Sequence, residues 1–207
     1  MNNKLAIGFD LDGTLWDSLE AVSRSWRMAV NEIPGARPLS DETIKGVMGL
    51  PPKGIAAKLF PYFDEKKAME AFDVCTRFEI EYVAKVGGVL FEGLEETLEY
   101  LCGKYPLYIV SNCQKGYIEA FLSYHRLGKY FADTENAENT GLTKGGNIRL
   151  VMERQGFEKS VYIGDTQGDC DAAREAGVPF IFASYGFGSV KDPEKSIRDI
   201  RELREIF

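Results

Sequence analysis

The stretch Leu5–Ser18 reads LAIGFDLDGTLWDS and joins a short apolar run to a group of acids. Residues 5–9 are apolar apart from one glycine, which is typical of a strand buried inside a parallel sheet. Asp10 and Asp12 follow directly, with a single residue between them, and Asp17 comes shortly after. Because side chains alternate along an extended chain, the carboxyls of Asp10 and Asp12 are expected on the same side at the end of this strand.

Three further apolar runs have the same character, and they lie at Leu107–Val110, Val161–Ile163 and Phe180–Ala183. Segments with helical spacing of apolar residues separate them, at Leu94–Leu101, Tyr117–Leu122 and Ile148–Met152. Strands that alternate with helices predict a parallel sheet with helices on both faces. We therefore predict an α/β fold with a three-layer Rossmann-like core, in which ligands bind at the carboxyl ends of the strands.

Residues 15–87 show helical periodicity and no strand pattern. Helices are predicted to begin near Leu19, Ser40, Pro51 and Asp64, and Gly87 ends the last of them. We predict an all-helical cap domain over 15–87, inserted after the first strand. The core domain would then comprise residues 1–14 and 88–207.

Composition excludes several classes of protein. The formal charge of −7 and a pI near 5.0 argue against nucleic acid as a partner, because phosphate backbones are bound by basic patches. No apolar run approaches the roughly 20 residues of a membrane-spanning helix, and the first residues do not resemble a signal peptide. The four cysteines have no zinc-site spacing, and there is one histidine. We expect a cytoplasmic protein with reduced thiols, a monomer or homodimer that binds neither nucleic acid nor membrane.

Polar segments lie just beyond the predicted strands or at the start of a helix. They are Asp10-Leu11-Asp12-Gly13-Thr14, Ser111-Asn112, Thr143-Lys144-Gly145 and Gly164-Asp165-Thr166-Gln167-Gly168-Asp169. In a parallel sheet these segments meet at one edge, which would bring four aspartates close to Ser111 and Lys144.

Carboxylates held this close together repel one another, and they stay ionised only when cations offset their charge. A Mg²⁺ ion and one lysine would do so, since oxygen ligands in a compact group suit a hard divalent ion that often shares its site with a phosphate. Such a site indicates phosphoryl transfer, in which a carboxylate attacks an anionic phosphate ester.

The motifs DLDGTLWDS, SN, TKG and GDTQGDCDAAREAG occur in the order found in the haloacid dehalogenase superfamily. The chain resembles its phosphatases of the phosphoglycolate phosphatase-like group, and the helical insertion is similar to the small cap of that group. The resemblance implies a Mg²⁺-dependent phosphatase that acts on a small phosphorylated metabolite through an aspartyl-phosphate.

The resemblance also assigns roles to residues. Asp10 would be the nucleophile, and Asp12 would be the general acid and base. Mg²⁺ would be bound by the Asp10 carboxylate, the Asp12 backbone carbonyl and Asp165. Supporting residues would be Asp169, next to the metal waters or the lysine, and Gly13.

The transferring phosphate would be held by Ser111, by the backbone N–H of Asn112 and by Lys144. The sequence departs from the usual pattern at two places. Lys144 is followed by glycines where many relatives have proline, and Trp16 stands where a smaller apolar residue is usual. We predict that Trp16, Arg24 and Lys53 contribute to substrate specificity.

Other functions stay open at this point. A phosphosugar mutase of the same superfamily would need a cap that shields the phosphoenzyme from water, and the cap has no histidine to assist it. A dehalogenase usually lacks the second aspartate, and a non-catalytic binding protein on this scaffold would be expected to have lost Asp10, Asp12 or Lys144. The substrate is also open, among phosphoglycolate, pyrophosphate, sugar phosphates and nucleoside monophosphates.

Two local patterns have a simpler interpretation. An EF-hand loop that started at Asp10 would need glycine where Leu15 stands and glutamate where Ala21 stands, so a calcium loop is excluded. The segment Gly186-Phe187-Gly188 follows a predicted strand but lacks the third glycine of a dinucleotide fingerprint, since position 191 is lysine. We interpret it as a turn.

Overall fold

The computed structural model describes residues 5–207 of the chain. Its strands are β1 (Leu5–Phe9), β2 (Trp16–Asp17), β3 (Val89–Leu90), β4 (Leu107–Ser111), β5 (Phe131–Asn136), β6 (Lys159–Gly164), β7 (Phe180–Ala183) and β8 (Ser196–Ile197). Its α-helices are α1 (Leu19–Val30), α2 (Asp41–Lys45), α3 (Pro52–Leu59), α4 (Glu65–Val86), α5 (Leu94–Cys102), α6 (Tyr117–His125), α7 (Ala137–Thr140), α8 (Lys144–Gln155), α9 (Gln167–Ala176) and α10 (Leu203–Ile206).

Six of the strands form one parallel sheet in the order β5-β4-β1-β6-β7-β8. β1 lies near the middle, with Phe9 opposite Ile109 of β4 on one side and opposite Ile163 of β6 on the other. The predicted α/β fold is confirmed. The edge strands β5 and β8 were missed by the sequence analysis, because β5 reads FADTEN with little apolar content and β8 has only two residues.

The alternating side chains of the strands divide the core between the two faces of the sheet. Ile7 and Phe9 of β1 pack on one face with the apolar residues of α5 and α6, such as Leu98 and Phe121. Ala6 points to the other face. It packs there in a cluster with residues of α8 and α9, namely Ile148, Val151, Ala172 and Ala173. The core therefore has three layers, helices against sheet against helices, as predicted.

The helices α1 to α4 lie between β2 and β3 and enclose an apolar cluster of their own. This cluster includes Trp26, Ile44, Phe60, Phe72 and Cys75. We call the segment from α1 to α4 the helical cap. The separate cluster is consistent with a distinct folding unit, and its definition as a domain over 15–87 stays a prediction.

A short antiparallel ribbon joins the helical cap to the core. Trp16 of β2 lies opposite Leu90 of β3, and Asp17 lies opposite Val89. The prediction of no strand within residues 15–87 was therefore wrong at β2, because a two-residue strand gives no periodic signal. Gly88 stands where a Cβ atom would lie 2.8 Å from Cε3 of Trp16, so the ribbon needs a glycine there.

Helix starts agree with the capping residues of the sequence. Ser40 accepts a hydrogen bond from the backbone N–H of Thr43, and Asp64 accepts one from that of Lys67. One start differs from expectation: α8 begins at Lys144, because Thr143 caps it, and not near Ile148. Lys144 is thereby fixed in the first turn of a helix. Within residues 5–207, no helix has the length and apolar character needed to cross a bilayer.

Candidate active site

The predicted polar segments meet at the carboxyl ends of β1, β4 and β6. Asp10 follows β1, and its backbone N–H donates to the carbonyl of Ile163 in β6 at 2.8 Å. Ser111 ends β4, Asp165 follows β6, and Lys144 starts α8. Because these strands are neighbours in the sheet, residues far apart in the sequence lie together at one edge.

Lys144 binds two aspartates at once. Its Nζ lies 2.7 Å from Oδ1 of Asp10 and 2.5 Å from Oδ1 of Asp169. The side chains of all three residues are at most 6% exposed. Burial alone would lower the pKa of Lys144, but the charges of Asp10 and Asp169 together outweigh it and raise the pKa. The lysine is therefore a buried ammonium group held against the carboxyl of Asp10.

Asp169 is oriented toward this lysine by the start of α9. Its second oxygen, Oδ2, accepts hydrogen bonds from the backbone N–H of Thr166 at 2.9 Å and from the Thr166 hydroxyl at 2.6 Å. Thr166 caps the helix in return, by accepting from the backbone N–H of Asp169. The carboxyl of Asp169 is thus fixed on one side by a capping box and on the other by Lys144.

Asp165 has one oxygen bound and one oxygen free. Oδ2 accepts from the backbone N–H groups of Phe187 at 2.7 Å and Gly188 at 3.1 Å. Oδ1 is buried and has no hydrogen-bond partner within the described residues. Burial and the charge of Asp169 raise the pKa of Asp165 to about 7, although the two N–H groups oppose this. A buried carboxylate oxygen without a partner is costly unless a ligand binds it.

Asp10, Asp165 and Asp169 offer carboxylate oxygens that all lie within 4.8 Å of one another. Burial, followed by the charge of Asp169, raises the pKa of Asp10 well above its ordinary value, and Lys144 opposes that rise. Fully ionised, the three acids and Lys144 carry an excess of two negative charges. This excess, the hard oxygen ligands and the unpartnered Oδ1 of Asp165 fit one divalent cation such as Mg²⁺.

Gly13 supports the same cluster by leaving room for it. The residue has a φ of 77°, in the left-handed region that favours glycine. A Cβ atom at this position would lie 2.3 Å from Oδ2 of Asp165. Any other residue at position 13 would therefore displace the Asp165 carboxyl.

Asp12 is held apart from these acids by donors of its own. Its Oδ1 accepts from Nε1 of Trp16 at 3.1 Å, from the hydroxyl of Tyr117 at 2.9 Å and from the hydroxyl of Ser18. Burial raises the pKa of Asp12, and these three hydrogen bonds oppose the rise. A carboxyl that is fixed in place and has a raised pKa can both give and take a proton.

The cavity above this edge has a volume of about 40 Å³ and lies between the core and the helical cap. From the core it is lined by Asp10, Asp12, Ser111, Asn112, Cys113, Gln114, Tyr117 and Lys144. From the cap it is lined by Trp26, Met48, Gly49, Leu50, Pro52, Ile55, Phe72 and Glu79. The core side is mostly polar and the cap side mostly apolar.

The two halves of the cavity are joined by hydrogen bonds. Nδ2 of Asn112 donates to the backbone carbonyl of Gly49 at 3.2 Å, and Nε2 of Gln114 donates to Oε2 of Glu79 at 3.0 Å. Ser111 is buried nearby and accepts from the backbone N–H of Cys113 at 3.4 Å. The structure thus shows the helical cap closed over the sheet edge.

The three predicted specificity residues do not line this cavity. Trp16 is fully buried beneath it, where its ring packs against Phe121 with 4.8 Å between centroids. The side chain of Arg24 is 62% exposed and pairs with Glu20. That of Lys53 is 80% exposed and pairs with Glu65. These positions do not support a role in contacting substrate, because the first side chain is packed inside the core and the other two face outward.

Sequence reasoning missed several residues around the site. Glu79 and Gln114 had no motif to mark them, although Glu79 follows Phe72 and Cys75 on the buried stripe of α4, where a charge is unexpected. The segment Gly186-Phe187-Gly188 was interpreted as a turn only. It supplies the two backbone donors to Asp165, and its position beyond β7, at the same edge of the sheet, was the available signal.

Comparison with known proteins gives three consistent results. The family model "Haloacid dehalogenase-like hydrolase" matches residues 7–183. A phosphoglycolate phosphatase of Escherichia coli O157:H7 is 27% identical, over 95% of this chain and 90% of that protein. A 5′-nucleotidase of Pseudomonas aeruginosa is also 27% identical, over 96% of this chain and 93% of that protein.

A solved structure agrees in fold. The hydrolase described as a haloacid dehalogenase-like family protein from Streptococcus pneumoniae superposes with a TM-score of 0.85, at 24% identity and over 100% of both chains. The match of the family model over residues 7–183 confirms the family predicted from the four sequence motifs. The chain belongs to the haloacid dehalogenase-like hydrolase family, and it is a phosphoric monoester hydrolase.

Proposed function

We propose that this chain is a Mg²⁺-dependent phosphatase that hydrolyses a small phosphorylated metabolite through a phosphoryl group carried on Asp10. The observation that carries the proposal is the ammonium group of Lys144, which binds Asp10 and Asp169 beside the unpartnered oxygen of Asp165. An anionic nucleophile can approach an anionic ester only where positive charge offsets the repulsion.

In this proposal Mg²⁺ is held by the Asp10 carboxylate, the Asp12 backbone carbonyl and Asp165. When bound, it neutralises phosphate oxygens and the charge that develops on them. Asp169 keeps Lys144 in position, and Gly13 leaves room for the Asp165 carboxyl. Ser111, the Asn112 backbone N–H and Lys144 hold the phosphate oxygens and align phosphorus with Asp10.

The first step transfers the phosphoryl group to the protein. A carboxylate oxygen of Asp10 forms a bond to phosphorus, and the bond from phosphorus to the ester oxygen breaks. Asp12 donates its proton to that oxygen, so that the leaving group departs as a neutral alcohol. The raised pKa of Asp12, which burial causes, favours the protonated form that this step requires.

The second step restores the enzyme. Asp12, now a carboxylate, takes a proton from a water molecule as the water oxygen attacks phosphorus. The bond between phosphorus and Asp10 breaks, and inorganic phosphate leaves. Trp16, Ser18 and Tyr117 hold Asp12 in place through both steps with their hydrogen bonds to its Oδ1.

Exchange of substrate and product requires the helical cap to move. A cavity of about 40 Å³ holds only a few water molecules, which is less than a phosphate ester occupies. We propose that residues 15–87 act as a cap domain that pivots on the ribbon of β2 and β3. The contacts that would break on opening are those of Asn112 with Gly49 and of Gln114 with Glu79.

The direct test is release of inorganic phosphate from a panel of phosphate monoesters, with Mg²⁺ and with excess chelator. We expect Mg²⁺-dependent release by the wild type and a loss of roughly 10⁴-fold or more in kcat for Asp10→Asn. The matched control is Asp171→Asn, which changes an exposed aspartate of α9 outside the cavity. Near wild-type turnover by Asp10→Asn would contradict the proposal. The monomeric or dimeric state and the cytoplasmic location stay predictions.

A further inference from the structure

We propose that Glu79 selects phosphate esters by their leaving group: it favours an uncharged or cationic group that offers a hydrogen-bond donor, and it disfavours a group that carries an acid. The inference rests on the proposed function and adds the chemical class of the substrate. Glu79 is in the helical cap, opposite the residues proposed to carry out the chemistry.

Glu79 is a buried carboxyl that is fixed at the cavity. It is 5% exposed, and its Oε2 accepts from Nε1 of Trp26 at 3.0 Å and from Nε2 of Gln114 at 3.0 Å. Neither of these bonds involves its other oxygen, Oε1. Since Trp26 belongs to the cap and Gln114 to the core, the two hydrogen bonds are present together only while the cap is closed.

The charges around the cavity oppose an acidic leaving group. Among residues 5–207, those that line it include the carboxyls of Asp10, Asp12 and Glu79 and a single cation, Lys144. Lys144 is already bound to Asp10 and Asp169. A carboxylate on the leaving group, in addition to the phosphate, would therefore be buried among acids with no arginine or lysine of the described chain beside it, an arrangement that disfavours binding.

The ionisation of Glu79 points the same way. Burial raises the pKa of Glu79 to about 8, and the charge of Asp12 adds to the effect, while Trp26 and Gln114 oppose it. A protonated Glu79 could share its proton with a substrate carboxylate but would supply no positive charge to balance it. A hydroxyl or ammonium group on the substrate would instead donate to Glu79 without adding negative charge.

The rest of the cap side suits the carbon skeleton of such a leaving group. Trp26, Ile55 and Phe72 line the cavity with apolar surface, and the rings of Trp26 and Phe72 pack edge to face with 5.9 Å between centroids. Carbon atoms would contact these side chains while a polar substituent reaches Glu79.

Three esters with the same two-carbon skeleton test the inference. They are phosphoglycolate, 2-hydroxyethyl phosphate and 2-aminoethyl phosphate, which differ only in the acid, hydroxyl or amine at the far end. In the wild type we expect kcat/KM for the hydroxyl or amine ester to exceed that for phosphoglycolate by roughly 30-fold or more. A preference for either the hydroxyl ester or the amine ester over phosphoglycolate supports the inference. Faster hydrolysis of the amine ester would indicate that charge dominates the selection, and faster hydrolysis of the hydroxyl ester that hydrogen bonding does.

The variant Glu79→Gln removes the ionisable carboxyl and keeps the size. We expect it to reduce the preference to less than roughly 3-fold. The matched control is Glu81→Gln on the exposed side of the same helix, which should leave the preference unchanged. The wild-type comparison needs no variant, so the inference can be tested even if Glu79→Gln folds poorly.

The outcomes separate the inference from the proposed function. Preference of the wild type for phosphoglycolate, or an unchanged preference in a folded Glu79→Gln, would overturn the inference while leaving the phosphatase intact. Hydrolysis of p-nitrophenyl phosphate, with Mg²⁺ and without it, reports the phosphatase alone. If neither this ester nor the three test esters were hydrolysed, both proposals would fail.

Discussion

The core side and the cap side of the cavity differ in the number of charged residues that line them. On the sheet edge, Asp10, Asp165 and Asp169 are packed together in the interior, and Lys144 pairs with Asp10 and Asp169. On the cap side the lining is apolar, and Glu79 is its one charged residue among those described. Under the two proposals, reactivity and selection are therefore carried by separate parts of the fold. A cap can change its lining without disturbing the charged cluster below it.

The largest effect should come from removing Lys144, the cation that pairs with Asp10 and Asp169 at the sheet edge. Lys144→Met leaves two buried acids without their partner, so we expect kcat to fall by roughly 10³-fold or more. We also expect a loss of about 3 kcal/mol in the free energy of unfolding. Phosphate release and urea denaturation measure the two effects. Lys159→Met, at an exposed lysine of β6, is the control, and equal behaviour of the two variants would contradict the account.

Proton transfer gives the next effect, and it should depend on the leaving group. Asp12→Asn removes the group that protonates the departing alcohol, so kcat for an alkyl ester should fall by roughly 10²- to 10³-fold. Hydrolysis of p-nitrophenyl phosphate should fall less, because nitrophenolate leaves without a proton. The ratio of the two rates in wild type and variant is the measurement. Equal losses for both esters would argue against Asp12 as the acid.

The metal requirement should depend on Asp165. Chelator should abolish turnover, and added Mg²⁺ should restore it. Asp165→Asn replaces the carboxylate that carries the unpartnered oxygen by a neutral amide. We therefore expect half-maximal activity to need roughly 10- to 100-fold more Mg²⁺. Asp171→Asn, at an exposed aspartate of α9, is the control and should titrate like the wild type. An unchanged Mg²⁺ requirement in Asp165→Asn would remove this residue from the metal site.

The smallest effect concerns stability on the cap side. Burial raises the pKa of Glu79 from 4.5 to about 8, so the folded state holds this proton more tightly than the unfolded state does. The stability gained from protonation is complete below about pH 4.5 and is lost as pH rises through about 8.

Glu79→Gln cannot ionise and should escape this loss. Between pH 5 and pH 8 its free energy of unfolding should rise relative to the wild type by at least about 1 kcal/mol. Urea denaturation of both proteins at the two pH values is the measurement, and Glu81→Gln serves again as the control. If the difference in the free energy of unfolding between wild type and Glu79→Gln were the same at pH 5 and pH 8, folding would not be coupled to protonation of Glu79.

The two regions also differ in what the sequence reveals. The sheet edge could be predicted because chain topology alone brings the ends of β1, β4 and β6 together, and each end carries a polar segment. The polar strand β5 and the two-residue strands β2, β3 and β8 were not predicted, because none of them shows a repeating pattern of apolar residues.

In the helical cap, helix starts could be predicted from Ser40 and Asp64, but the cavity-facing residues could not. Which face of a helix meets the core depends on how four helices pack, and that is a tertiary property. Arg24 and Lys53 were chosen for their charge and face outward, whereas Glu79 was hidden within an apolar stripe. Charged residues are usually exposed, so one that lies within the apolar stripe of a helix is a candidate for a functional residue.

The most direct test of the account is to detect the phosphoryl group on Asp10. Enzyme quenched in acid during turnover would be digested and its peptides analysed by mass spectrometry. We predict a phosphoryl group on the peptide that contains Asp10. Hydroxylamine should remove it, as expected for an acyl phosphate, and it should be absent from Asp10→Asn. Turnover with no phosphorylated peptide in a slowed variant such as Asp12→Asn, or with the group on another residue, would contradict the account.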